Sequence, residues 1–254
     1  MFLRFENLVF RYEPFPIGLA KPVMDEATNR AFIEGYPPLE LFKYIPKVGR
    51  KYSLSERFHA RAYRSYIRSN PLWREFHRWI KSDAFLADVL SALRDHHIDL
   101  GYDGARTSPG GLQAYIGKLA QSLGHGRRAA TARQLTARFE FSMLPADGGF
   151  VMPHTDGPAK VVTLIVSILD AAEWDPAFGG GTELHRPRDA RLAFNRLNRH
   201  ARFEDMDVLE TFAFTPNQAV VFIKTFNSWH SVRPMTGVGS AAMRKTLTVN
   251  IEAR

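Results

Sequence analysis

The chain has 254 residues, a formal net charge of +8 at pH 7 and no cysteine, which excludes disulfides, thiolate metal sites and a cysteine nucleophile. With 45% hydrophobic and 24% charged residues, it has the composition of a globular protein able to bury a sizeable core, not that of a disordered chain. No apolar run approaches the roughly 18 residues of a membrane span, and Met1-Phe2-Leu3-Arg4-Phe5-Glu6 carries no long apolar segment. The expectation is a soluble, cytoplasmic protein with no membrane partner.

The basic excess is uneven. Residues 1–136 hold 21 Lys/Arg against 13 Asp/Glu, whereas residues 137–254 hold 13 of each. A basic half suits nucleic acid or an acidic partner, and it equally suits solvated helix faces.

In chain order, residues 54–68 predict a helix on which Arg57, Arg61, Arg64 and Arg68 form one stripe. Asn70-Pro71 predicts a restart with Asn70 as N-cap. Leu72, Phe76 and Trp79/Ile80 mark the apolar face of this second helix. Ser82 caps a third, carrying Phe85, Leu86, Val89, Leu90 and Leu93. A loop over 101–111 and a short helix near 112–123, closed by Gly124, follow.

After about residue 134 the period changes to two. Residues 135–144, 161–169, 182–185, 207–214, 218–224, 229–233 and 245–251 read as short strands. That pattern predicts a sandwich or double-sheet barrel. The expected organisation is a mainly helical region over 1–134 supporting a β core over 135–254, in one integrated domain.

Of the nine histidines, His59, His77, His96, His97, His125 and His200 lie among charged residues and read as surface or packing groups. His185 ends a strand and is a weak candidate. His154 and His230 stand apart. In His154-Thr155-Asp156 an extended backbone would point residues i and i+2 to one face, presenting a nitrogen and an oxygen ligand together. His230, about 75 residues on, lies in strand-like sequence. Two His and one carboxylate make the facial triad of non-haem Fe(II) oxygenases, with coordination positions left open. A bidentate 2-oxo acid and O2 would fill them, and the distal carboxylate of the acid would need a cation. Arg244, 14 residues after His230, opens a strand whose polar face continues through Thr246, Thr248 and Asn250.

Together, His154-Thr155-Asp156, Gly179-Gly180-Gly181-Thr182-Glu183-Leu184, Trp229-His230-Ser231-Val232-Arg233-Pro234 and Arg244-Lys245-Thr246 resemble the Fe(II)/2-oxoglutarate-dependent dioxygenases of the prolyl-4-hydroxylase-like branch. The resemblance covers roughly residues 135–252. It implies a mainly β fold with α elements: a double-stranded β-helix (jelly-roll) core, with N-terminal helices packed on the major sheet. It implies iron ligation by His154, Asp156 and His230. It assigns the 2-oxoglutarate C5 carboxylate to Arg244, with Thr246 as hydrogen-bond partner and Arg233 as the second-ranked alternative. The implied cofactors are Fe(II) and 2-oxoglutarate, with O2 as co-substrate.

The expected reaction is hydroxylation of an unactivated C–H bond in a small metabolite, amino acid or peptidyl side chain, yielding succinate and CO2. Asp156 stands where related halogenases have Gly or Ala, which favours hydroxylation. Asn250 stands six residues beyond Arg244, where the nucleic-acid demethylases have a second Arg, which argues against a nucleic-acid substrate. Residues 174–181 and the loop 186–206 are expected at the mouth of the site. Lys160, Arg186, Arg188 and Lys224 are candidates to meet an acidic group of the substrate. Two rival readings are a cupin-like metal enzyme without 2-oxoglutarate and a basic, nucleic-acid-binding jelly roll.

Overall fold

The computed structural model describes residues 2–47, 49–102 and 134–253; the helix expected near 112–123 and most of the loop before it lie outside the described residues. The N-terminal region contributes strands β1 (Leu8–Arg11), β2 (Ile17–Ala20), β3 (Lys43–Ile45) and β4 (Lys51–Ser55), and helices α1 (Glu26–Glu34), α2 (Ala60–Ser69), α3 (Pro71–Ile80) and α4 (Asp83–Asp95). The remainder supplies β5 (Leu135–Pro145), β6 (Val151–His154), β7 (Lys160–Ser167), β8 (Thr182–Pro187), β9 (Met206–Phe212), β10 (Ala219–Ile223), β11 (His230–Val232) and β12 (Met243–Ala253).

The strands form two antiparallel sheets. The larger has the order β1-β2-β10-β7-β12-β5-β4-β3 and the smaller β6-β11-β8-β9. From β5 onward the chain passes back and forth between the sheets, so that β5, β7, β10 and β12 fall in one and β6, β8, β9 and β11 in the other. This is the jelly-roll arrangement of a double-stranded β-helix. All seven strands expected after residue 134 are present, and β6 is added to them.

The described part of the N-terminal region also holds four strands that the sequence pattern did not announce. Its four strands extend the larger sheet at both edges, β2 pairing with β10 and β4 with β5. The helix expected over 54–68 begins only at Ala60. The Ser55 hydroxyl accepts the Arg57 and Phe58 backbone N–H groups, turning the chain out of β4. Arg57 therefore lies off the helix, and the stripe there reduces to Arg61, Arg64 and Arg68. The later helix starts follow their caps. Asn70 accepts from the Trp73 N–H at 3.3 Å with Pro71 in the first turn, and Ser82 accepts from the Phe85 N–H at 3.3 Å. Each cap contributes about 1 kcal/mol.

Strand alternation decides which side chains reach the site. On β12, Leu247, Val249 and Ile251 face the helices, in the same core as Phe139 and Phe141 of β5 and Trp73 and Phe76 of α3. Trp73 meets Phe141 edge-on at 4.6 Å and Phe76 meets Phe139 at 5.0 Å. Arg244, Thr246 and Thr248 face the opposite way, into the space between the sheets. Two smaller apolar clusters close that space. One holds Leu144, Trp174, Phe214 and Val232, and the other Phe15, Leu184, Val220 and Phe222.

Tyr36 pins the central strands. Its buried hydroxyl accepts the Ser142 N–H at 3.0 Å and lies 2.9 Å from the Thr246 carbonyl, which it can donate to. Ser142 and Thr246 are register partners on β5 and β12. Replacing Tyr36 by Phe orphans a buried N–H, a loss of about 1–3 kcal/mol. The expected result for Tyr36→Phe is a lower urea midpoint at unchanged m-value, and an unaltered midpoint would refute the tie.

Candidate metal centre

His154 and His230 are brought together by strand pairing. They are cross-strand partners on β6 and β11, and their ring centroids lie 4.3 Å apart. His154 Nδ1 is 2.9 Å from the Met152 carbonyl, and His230 Nδ1 is 2.9 Å from the Ser228 carbonyl. Donating Nδ1–H to a backbone carbonyl fixes each tautomer and leaves the Nε2 lone pair free for a metal. Phe222 stacks on His230 at 4.2 Å and holds the ring plane.

Asp156 arrives differently from the expectation. β6 ends at His154, and Asp156 sits beyond it at φ 69°, a left-handed conformation uncommon for a non-glycine residue. A turn, not an extended strand, brings its carboxylate back to 3.7 Å from His154 Nε2. Thr155 anchors that turn from the far side. Its N–H donates to Asn198 Oδ1 at 3.2 Å and its hydroxyl to the Asn195 carbonyl at 3.1 Å. One ligand atom from each of His154, Asp156 and His230 lies within 4.8 Å of the others, the only such metal-competent group among the described residues.

The electrostatics suit a cation. Burial pushes the His230 pKa down to about 3, with His154 adding to the effect, so its imidazole stays neutral. Burial alone would raise the Asp156 pKa, but the Lys160 ammonium beside it holds it well below the usual carboxylate range. Lys160 Nζ lies 2.5 Å from Asp156 Oδ1, and the Thr163 hydroxyl donates to Oδ2 at 2.9 Å. Two imidazoles and a carboxylate fit a divalent first-row metal.

A cavity of about 110 Å³ between the sheets is lined by all three residues and also by Lys160, Arg244 and Thr246. Arg244 is 5% exposed. Its Nε donates to the Gly180 carbonyl at 2.6 Å, and its guanidinium lies 4.6 Å above the Phe214 ring. Among the described residues it has no carboxylate partner, and burial lowers its pKa to about 10. The glycine run makes this seat. A Cβ on Gly180, at φ +76°, would stand 3.2 Å from Arg244 Cδ and 3.1 Å from the Trp174 ring.

Other expected contributors lie elsewhere. Arg233 is half exposed, and its Nε donates to Glu183 at 2.8 Å, so its charge is already paired outside the cavity. His185 is buried on the other face of the smaller sheet, 2.6 Å from the Ser231 hydroxyl. Arg188 pairs with Asp207 on the surface. Arg186 is exposed. Lys224 is half-buried near Asp156 and Lys160 without lining the cavity, and its ammonium donates to the Thr225 carbonyl at 3.0 Å. Lys160 does reach the cavity, held by Asp156. Sequence reasoning missed that contact, the Thr163 hydrogen bond and the Thr155 anchor, because a non-helical turn between β6 and β7 brings them together.

No family model matches the sequence, and no curated protein matches it. The fold is similar to several solved structures. The epimerase SnoN from nogalamycin biosynthesis, described as non-haem and α-ketoglutarate-dependent, is 13% identical, with a TM-score of 0.43 over 95% of this chain and 78% of that one. An oxidoreductase of the 2OG-Fe(II) oxygenase family from Burkholderia pseudomallei is 13% identical, with a TM-score of 0.38 over 93% and 85%. A prolyl hydroxylase from Trichoplax adhaerens, in complex with a hypoxia-inducible-factor peptide, is 16% identical, with a TM-score of 0.33 over 55% and 56%, so the chain spans about half its length. Fold and site together define a jelly roll with a candidate mononuclear metal centre.

His230 makes the metal-free protein acid-sensitive. Its pKa is near 3 when folded and about 6.5 when unfolded, so between these values the unfolded chain binds more protons and stability falls as pH falls. Between pH 7 and pH 5 the metal-free protein should lose about 2 kcal/mol more than His230→Gln. Urea titrations at the two pH values check this, and equal losses would contradict it.

Proposed function

We propose that the protein is an Fe(II)- and 2-oxoglutarate-dependent oxygenase. In this reading it hydroxylates an unactivated C–H bond of a small metabolite, amino acid or peptidyl side chain, converting 2-oxoglutarate and O2 into succinate and CO2. The observation that carries the reading is the buried Arg244 guanidinium. It shares one cavity with a two-His, one-carboxylate cluster and has no counter-ion among the described residues. A buried, unpaired cation costs several kcal/mol. A bound dicarboxylate would remove that cost at one end and offer ligand atoms to a metal at the other.

His154, Asp156 and His230 would hold the iron, leaving positions open. Ferrous iron bound with an oxo acid supplies the activation of O2 and the oxidising power for C–H cleavage. The chain's own residues position and shield. Arg244 orients the C5 carboxylate, and Thr246, buried on the same strand face, offers a hydroxyl beside it. The Met152 and Ser228 carbonyls keep the imidazoles oriented, and the apolar clusters keep bulk water out.

The test is binding of 2-oxoglutarate to the Fe(II)-loaded protein without oxygen, followed by succinate formation on adding air. Arg244→Ala should weaken 2-oxoglutarate binding at least tenfold while retaining metal, in line with the loss of a charge-assisted pair. His154→Ala should abolish both metal binding and succinate formation. Unchanged 2-oxoglutarate affinity in Arg244→Ala would overturn the assignment of Arg244. Absence of binding by the wild-type protein would leave a metal enzyme of another kind.

A further inference from the structure

A second and larger cavity, of about 600 Å³, opens beside the metal centre. Its wall is the segment from Arg191 to Arg202, with Asp205 and Trp229. The segment is built directly onto the metal-binding motif. Thr155, between two candidate ligands, holds Asn195 and Asn198. The Ala201 N–H donates to the Pro153 carbonyl at 2.9 Å. The Trp229 indole N–H, next to His230, lies 3.2 Å from the Leu192 carbonyl. His200, which lines the cavity, has its ring centroid 5.8 Å from that of His154. The buried Asn195 amide closes the loop on itself, accepting the Arg199 N–H at 2.9 Å and donating to the Arg199 carbonyl at 2.7 Å.

Two kinds of side chain are left uncovered on this wall. Phe194 and Leu197 are 72% and 70% exposed, a cost in water that a loop with no apolar partner gains nothing from. Beside them stand four arginines of two sorts. Arg191 is held by Asp189 and Arg202 by Asp205. Arg196 and Arg199 have no carboxylate partner among the described residues. The Arg196 guanidinium lies only against the Phe226 ring, at 5.7 Å.

We propose that this pocket binds the substrate as a small amphipathic anion. The apolar body lies against Phe194 and Leu197, and the anionic head group pairs with Arg196 and Arg199. His200 links the pocket to the candidate metal centre, its ring centroid 5.8 Å from that of His154. This assignment rests on the oxygenase reading for its chemistry, and the pocket can be tested apart from it.

Three probes of one chain length separate the contributions: octanoate, octyl phosphate and the neutral octanamide. Calorimetric titration of the manganese-loaded wild-type protein with 2-oxoglutarate present should show both anions binding at least tenfold more tightly than octanamide. The stronger of the two identifies the head group. The double variant Arg196→Ala/Arg199→Ala should lose that preference at least tenfold. Both residues are exposed, so folding should be unaffected, as a thermal melt can check. Leu197→Asp should weaken all three probes. Equal binding of octanamide, or anion binding unchanged in the double variant, would overturn the proposal. Titration of 2-oxoglutarate into each variant is the separate readout. Loss of anion binding with 2-oxoglutarate binding intact supports the pocket. A protein that binds the anions but never 2-oxoglutarate would refute the oxygenase reading alone.

Discussion

Charge between two β-sheets persists only where something opposes it, because desolvating an unpaired ion costs more than a hydrogen bond returns. The same constraint shows in the ion pairs in and around the jelly roll. Arg138 and Arg57 share Glu252, with Arg138 at 2.7 Å and Arg57 at 2.9 Å. Lys51 pairs with Glu140 at 2.5 Å, Lys160 with Asp156 at 2.5 Å, and Arg233 with Glu183 at 2.8 Å. Arg244 is the buried basic side chain outside this scheme. Its seat against the Gly180 carbonyl and the Phe214 ring offers partial solvation but no negative charge. The cavity is therefore incomplete as a protein interior, and it is this gap that the proposed dicarboxylate would fill.

The same economy of placement governs the metal cluster. Antiparallel pairing of β6 and β11 puts His154 opposite His230 without any long-range adjustment. Ligands carried on paired strands are held more rigidly than ligands on loops. Asp156 is the exception, and its left-handed backbone is stabilised on both sides. Lys160 and Thr163 hold the carboxylate, while Thr155 holds the backbone beside it. Through Thr155 the turn also fixes the wall of the larger cavity, so the geometry of the candidate metal centre and that of the outer pocket are coupled by one buried threonine.

Sequence patterning carried the core well because alternation and chemistry agree there. On β12 the apolar residues Leu247, Val249 and Ile251 and the polar residues Arg244, Thr246 and Thr248 fall on opposite faces, as period two requires. The short N-terminal strands escaped notice for a physical reason. β1 to β4 have only three to five residues each, and their strand character comes from sheet pairing, β2 on β10 and β4 on β5 with β1 and β3 added outside them, not from local propensity. Ser53 and Ser55 on β4 are buried, which no hydropathy pattern announces. The i, i+2 argument named two residues that the structure does bring together, but by a different local geometry, since a turn performs what a strand was expected to do. The anion pocket was visible only as a loop at the mouth. Separating free from paired arginines needs the distances to Asp189 and Asp205.

The distribution of charge now has a structural meaning that its sum lacks. The basic excess belongs to residues 1–136, but part of it is spent inside the fold. Lys51 and Arg57 come from that region, and they neutralise Glu140 and Glu252 of the jelly roll. Arg61, Arg64 and Arg68 remain on a helix packed against the outer face of the larger sheet, away from the cavity between the sheets. The arginines left without a carboxylate in the larger cavity, Arg196 and Arg199, come instead from the half of the chain whose formal charges cancel. Net charge by region therefore misplaces the electrostatics of the site, because the groups that matter are those left unpaired after folding.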